Sequence, residues 1–311
     1  MIEILSGRET KKAIVTLAIG EKYLKKWEQN SLPSLLKYCK RHSLGLYVQT
    51  TPIDTSEPRK KPQWQKILLP TELKNKFEFI DEFCYIDTDI VANQFAESIF
   101  NQNLQDKLSL VSQFNNLPFD LDEILRRIAF NRNRFYSKDY PLDSSLFMKF
   151  KDIYKHHNLP EQKDYACTGV FMGYVDAHAE TLKNIYFQYD HTISTLTDGG
   201  DEPILNHEFQ SKFNVNWIPY QYQAIWIYEM AHKYPFLYQE KLNIDLINKC
   251  IENSINSNTL LHFAGSWDES KMFENIHRID FDSEVLLEFE QYKKMKLTGQ
   301  PVGITKPKYD V

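Results

Sequence analysis

Two aspartates, Asp87 and Asp89, stand one residue apart at the end of an apolar run, residues 83–91 (FCYIDTDIV). A short apolar run of this kind reads as a buried strand. Side chains two apart on a strand share a face, so both carboxylates can project the same way, with Cα atoms about 6.6 Å apart. Two carboxylates that close repel and raise each other's pKa unless a cation sits between them. At the carboxyl end of a central strand of an open α/β sheet, that pair makes a metal site suited to an anionic substrate. A D-x-D triplet alone is common. The burial implied by FCYI adds weight, because buried acids are rarely left unpaired.

The rest of the chain must position this pair. Residues 13–19 (AIVTLAI) read as a buried strand ended by Gly20. A helical pattern follows, broken near Ser31-Leu32-Pro33, with Pro33 in the first turn of a second helix. Residues 44–50 (LGLYVQT) read as the next strand. This strand–helix–strand opening predicts a parallel sheet. After a polar, Pro-rich loop at 51–64, helix resumes near Gln65 and leads into the D-x-D strand. Further strands are predicted at 108–112, 166–174 (ACTGVFMGY), 214–218 and 260–264 (LLHFA). Helices are predicted over 120–135, over 143–157, from an N-cap at Asp176 through Tyr189, over the stretch EPILNHEFQSKF, and at 283–296. The last dozen residues, with Gly299, Pro301, Gly303 and Pro307, read as an extended tail.

Composition bounds the function. The 311 residues carry a net charge of −5, which excludes a wholesale nucleic-acid binder. No G-x-G-x-x-G or G-x-x-x-x-G-K-[ST] loop occurs. Cys39, Cys84, Cys167 and Cys250 follow no C-x-x-C spacing, so zinc and redox motifs are unsupported; Cys84 and Cys167 sit in apolar runs and read as reduced core residues, which suits a cytoplasm. Residues 1–12 lack the apolar core of a signal peptide, and no apolar run reaches transmembrane length. The expected location is cytoplasmic, with room for peripheral contact at the inner face of a membrane.

Taken in order, several segments resemble the nucleotide-sugar-dependent glycosyltransferases of the GT-A type, nearest to glycosyltransferase family eight and related bacterial capsule and lipopolysaccharide enzymes. AIVTLAI looks like the first strand, whose end (Thr16, Ala18) cradles the nucleotide base. KPQWQKILL is similar to the segment where a lysine, here Lys66, approaches the donor. YIDTDIV looks like the metal-binding strand, with Thr88 between the ligands. ACTGVFMGY resembles the small-residue strand, with Gly169, that lines the sugar pocket. DEPILN is similar to the D-Q-D-x-L-N segment beside the reacting sugar, with Glu202 and Pro203 in place of the family's Gln and second Asp. LLHFAG resembles the start of H-x-x-G-x-x-K-P-W, which makes His262 a metal ligand and places Gly265 at the phosphates. Where that pattern continues Lys-Pro-Trp, this chain has Asp268, Glu269 and Ser270, leaving Lys271 as the candidate cation for the diphosphate.

The resemblance implies a GT-A-like, Rossmann-related α/β fold: a mixed, mostly parallel sheet flanked by helices. It implies one catalytic domain over 1–280, with a nucleotide-binding half at 10–115 and an acceptor-side half at 116–280, followed by a terminal helix and tail at 281–311. It also implies a nucleotide-sugar donor, a UDP-sugar, and a glycan or lipid-linked acceptor. Two carboxylates and an imidazole suit manganese better than calcium, because nitrogen ligation favours transition metals, and the expected ion is Mn²⁺, with Mg²⁺ as the alternative. Asp201 is then a hydrogen-bond acceptor for the donor sugar, and Glu202 a nucleophile or acceptor-side base. Against these roles, both acids also suit the first turn of a helix. The aromatic stretch of Trp217, Tyr220, Tyr222, Trp226 and Tyr228 offers either an acceptor platform or core packing. His156-His157 reads as a surface pair. Two other classes remain open: a haloacid-dehalogenase-like phosphatase with Asp87 as nucleophile, and a non-catalytic carbohydrate-binding module.

Overall fold

A computed structural model describes residues 1–138, 140, 145–193 and 200–280. A seven-stranded sheet has the order β1-β3-β2-β4-β7-β6-β8. Its strands are β1 (Ile2–Leu5), β2 (Lys12–Leu17), β3 (Gly45–Gln49), β4 (Glu82–Ile86), β6 (Lys107–Ser112), β7 (Ala166–Tyr174) and β8 (Asn214–Ile218). Strands β2, β3, β4, β6 and β8 run one way, and β1 and β7 the other. This is the expected mixed, mostly parallel sheet. A second, three-stranded sheet has the order β5-β10-β9, with β5 (Ile90–Ala92), β9 (Ala224–Ile225) and β10 (Leu260–His262).

Alternation along the central strands sorts side chains to two faces. Ile14, Leu46, Val48, Cys84, Ile86, Val170 and Met172 pack with Trp27, Leu35 and Tyr38 of α1 (Glu21–Asn30) and α2 (Leu32–Arg41). Their sequence neighbours Ala13, Val15, Tyr47, Phe83, Tyr85 and Phe171 point the other way. There they meet Trp64, Leu73, Leu182 and Phe209 from the 3₁₀ turn Pro62–Leu68 and the helices α3 (Leu69–Lys76), α6 (Val175–Gln188) and α7 (Glu202–Lys212). Helices α4 (Leu121–Phe135) and α5 (Phe150–His156) precede β7 in the chain. A third core joins α4, α8 (Trp226–Lys233) and α9 (Ile244–Ser257) to the small sheet.

Several expectations are corrected. The D-x-D triplet is not in a strand: β4 stops at Ile86, and Thr88 and Asp89 form a turn before β5. Tyr174, not Asp176, occupies the N-cap of α6; Asp176 sits in the first turn and pairs with Lys74 at 2.7 Å. The helix expected over 143–157 is the shorter α5, preceded by a 3₁₀ turn at Ser145–Phe147. Residues 143 and 144, part of the turn at 198–202, and the helix and tail at 281–311 lie outside the described residues. Strands β1, β5 and β9 and helices α8 and α9 were not anticipated. Among the described residues no helix is long and apolar enough to cross a membrane.

Candidate active site

The triplet marks the point where the chain leaves one sheet for the other. The Asp87 N–H still donates to the Gly169 carbonyl of β7 at 2.9 Å. Two residues later, the Asp89 carbonyl accepts from Phe263 N–H at 3.0 Å, and Ile90 is in register with His262 across the β5–β10 ladder. The backbone is thus pinned on both sides of Thr88. Ser31 adds a hydroxyl bond to the Thr88 carbonyl at 2.7 Å. The two carboxylates line the neighbouring cavity, and β10 delivers an imidazole to them. His262 Nε2 lies 3.2 Å from Asp89 Oδ1 and 3.8 Å from Asp87 Oδ2. One ligand atom from each of Asp87, Asp89 and His262 falls within 4.8 Å of the others.

Gly169 makes this convergence possible. A Cβ there would collide with His262 Cε1 and come within 2.8 Å of Asp87 Oδ2. The residues fit a divalent cation: an imidazole from β10 and two carboxylates from the turn after β4, with ligand atoms within 4.8 Å of one another. Burial raises the pKa of Asp87; Lys66 opposes this shift and Asp89 adds to it. Burial alone would lower the pKa of His262, yet the group is held well above its ordinary value. Burial also raises the Cys167 pKa and keeps that group a neutral thiol, so the anion that holds the His262 proton is Asp89. A proton on His262 therefore offsets the charge that a cation would otherwise neutralise.

Beside this cluster opens a cavity of about 450 Å³. Its polar lining includes Lys66, Asp201 and Glu202, and its apolar lining includes Ile225, Ile227, Tyr228 and Trp267. The Lys66 ammonium lies 2.8 Å from Asp201 Oδ2 and donates to Thr168 Oγ1 at 2.9 Å. Burial alone would lower its pKa, but Asp201 and Asp87 outweigh this and raise it. Asp201 precedes α7 without a side-chain capping bond, so its carboxylate serves Lys66 rather than the helix. Glu202 opens α7 as a half-buried side chain that lines the cavity. Its Oε1 accepts from Gln113 Nε2 at 3.0 Å and from Thr168 N–H at 3.2 Å. Burial first, and Asp201 second, push its pKa up to about 7.

The cavity therefore gathers Asp87, Asp89, His262, Lys66, Asp201, Glu202, Gly169 and Gly265. Thr16, Ala18, Thr88 and Lys271 are not in its lining. Thr16 and Ala18 are buried in β2 and just beyond it. Lys271 is mostly exposed and pairs with Asp268 at 2.8 Å, in keeping with the altered sequence after Gly265. Most of the aromatic stretch is core: Tyr220, Tyr222 and Trp226 are buried, and only Tyr228 reaches the cavity. His157, expected as half of a surface pair, is half-buried and lines the cavity.

Sequence reasoning missed several neighbours. The Tyr85 hydroxyl donates to Asp87 Oδ1. Trp267 packs over Gly265, whose φ of +84° favours glycine and where a Cβ would strike the indole. Behind Trp267, the fully buried Arg132 and Glu269 form a two-pronged ion pair at 2.9 and 3.1 Å that ties α4 to this loop. The strand alternation that places Tyr85 on the Phe171 face was legible; the α4 tether left no local signal.

No family model and no curated protein sequence matches the chain. Among solved structures, the chain is similar to a glycosyltransferase involved in the glycosylation of the major capsid of PBCV-1. The identity is 10%, the match covers 86% of this chain and 99% of that one, and the TM-score is 0.47. A likeness this distant leaves the chemistry to be read from the site.

Proposed function

We propose that the chain is a metal-dependent glycosyltransferase that moves a hexose from a nucleotide diphosphate sugar, a UDP-sugar on the sequence resemblance, to a glycan or lipid-linked acceptor. The observation that carries this reading is the convergence of Asp87, Asp89 and His262 in the lining of a cavity that Lys66, Asp201 and Glu202 also line. On this reading residues 10–115 serve mainly the donor and 116–280 the acceptor. The work is done in the cytoplasm or at the inner face of its membrane.

Transfer breaks the bond between the sugar's anomeric carbon and the diphosphate and forms one to an acceptor oxygen, which gives up its proton. Asp87, Asp89 and His262 would hold Mn²⁺ or Mg²⁺, which would supply neutralisation of the charge left on the diphosphate. Lys66 adds a buried positive charge beside the carboxylates, and Asp201 holds it in place while offering an acceptor toward sugar hydroxyls. Glu202, with a pKa near neutrality, exists in both protonation states at working pH. It is the group to take the acceptor proton or to attack the anomeric carbon. The resemblance favours retention of configuration.

The test exploits mutual neutralisation. Clustered acids bind a cation weakly alone and repel a diphosphate alone, so the two should bind with positive coupling, typically about 1–3 kcal/mol. A ligand at a hundred times its Kd stabilises by roughly 2.7 kcal/mol, a shift of a few degrees in Tm for a chain this long. The expected result is a small shift with Mn²⁺, little with UDP, and a more than additive shift with both that Asp89→Asn abolishes. If no nucleoside diphosphate in a panel adds to the shift from Mn²⁺ alone, the glycosyltransferase reading fails. A response to Mg²⁺ with a phosphate mimic, indifferent to the base, would favour a phosphatase. A response to glycan without metal would favour a binding module.

A further inference from the structure

His262 has two ring nitrogens, and only Nε2 faces the carboxylates. A cation can take Nε2 only if the ring proton sits on Nδ1. Nδ1 then needs an acceptor, because the ring is buried and water cannot supply one. Two groups face it. Gln223 Nε2 lies 3.1 Å away and Cys167 Sγ 3.5 Å away. A thiol sulfur is a weak acceptor.

Gln223 is 1% exposed, and its Oε1 has no hydrogen-bond partner. With its nitrogen toward Nδ1, the amide suits only a ring that lacks the Nδ1 proton, and that ring cannot offer Nε2 to a cation. Amide nitrogen and oxygen are nearly isosteric, and their placement follows from the hydrogen-bond network. Turning the amide over breaks no bond made by Oε1 and brings that unused acceptor against Nδ1.

The backbone is built for this contact. Gln223 immediately precedes β9, whose parallel ladder with β10 sets Ala224 beside Leu261 and Ile225 beside His262. Gly169 clears the space between the two side chains. A Cβ there would lie 3.0 Å from Gln223 Nε2 as well as striking the His262 ring.

We propose that Gln223 is the positioning residue for His262: Nδ1–H donates a hydrogen bond to its side-chain oxygen, which fixes the tautomer and aims the Nε2 lone pair toward Asp87 and Asp89. This rests on the metal-site reading above. Partners that orient a ligating histidine in this way typically contribute 10- to 100-fold in metal affinity.

The experiment titrates Mn²⁺ alone into the full chain and reads free Mn²⁺ by electron paramagnetic resonance. Wild type should bind, and Asp89→Asn should not. Gln223→Leu keeps the bulk and removes the acceptor; its affinity should fall roughly 10- to 100-fold. Gln223→Glu keeps an acceptor and should bind far more tightly than the Leu variant. A spacer role would give a different pattern, with Leu tolerated and a buried Glu not. In parallel, ¹⁵N-histidine spectra of wild type loaded with diamagnetic Zn²⁺ should show Nδ1 protonated, a readout that survives even if the Leu variant does not fold. Wild-type Mn²⁺ affinity in Gln223→Leu, or an unprotonated Nδ1 in the Zn²⁺-loaded protein, overturns the proposal. Wild-type protein without Mn²⁺ binding sensitive to Asp89→Asn instead overturns the metal site itself, and this inference with it.

Discussion

Replacing Glu202 by Gln separates two readings of that residue by the sign of a stability change. The carboxyl is raised from 4.5 to about 7 by burial and by Asp201. A gap of that size, at about 1.36 kcal/mol per pH unit, corresponds to about 3 kcal/mol. Between those two values the folded chain binds more protons at this group than the unfolded chain does. Stability therefore falls as pH rises through the window. Below about 4.5 the group contributes no difference; above about 7 the full cost of a buried carboxylate is present. Gln has the same shape, and its side-chain oxygen can still accept from Gln113 and from Thr168 N–H, but it never ionises. Glu202→Gln should thus match wild type at low pH and exceed it by about 3 kcal/mol near pH 8. With an unfolding entropy of about 2.1 cal/mol/K per residue, that is roughly 5 °C in Tm for 311 residues. Thermal melts of both proteins from pH 4.5 to 8, in chelator, provide the curve. If Glu202 instead acts as a helix-start charge, its loss should cost about 0.3–1 kcal/mol at pH 8. A variant no more stable than wild type at pH 8 refutes the burial argument. The same substitution should lower kcat far more than it weakens donor binding, because the group acts on the reacting centre.

Two further substitutions probe what holds the site. Gly169→Ala should weaken Mn²⁺ binding while leaving far-UV circular dichroism native, because the added methyl meets His262 and Asp87 rather than the sheet core; unchanged Mn²⁺ affinity would refute the close-approach argument. Arg132→Met leaves Glu269 buried without its partner and should cost roughly 3–5 kcal/mol in urea unfolding at neutral pH. A loss below 1 kcal/mol would mean that the pair contributes little beyond its packing.

The sheet was legible because its strands are buried on both faces and carry near-continuous apolar runs, as in FCYI and ACTGVFMGY. The elements that went unread are those whose identity depends on a distant partner. Strand β9 has two residues and exists only because β10 lies beside it; β1 is a polar-flanked edge paired to β3. Helix α9 carries an amphipathic pattern with an Asn243 cap and was open to detection.

At the candidate metal site the residues of the motif meet through a geometry other than the one the sequence predicts. An unbroken strand would carry Asp87 and Asp89 out from one face of one sheet, with no reason for a histidine from residue 262 to meet them. The chain instead breaks after Ile86, turns through Thr88 and enters the second sheet at Ile90, whose partner is His262. The turn carries the acids off the central sheet, and the register of the small sheet decides which residue of β10 faces them. One step of slippage in the β5–β10 ladder would present Leu261 or Phe263 there instead, because successive strand residues point to opposite faces. The meeting of the imidazole with the two acids is therefore written in three backbone pairs, Leu260–Ala92, Leu261–Val91 and His262–Ile90, as much as in the acids themselves.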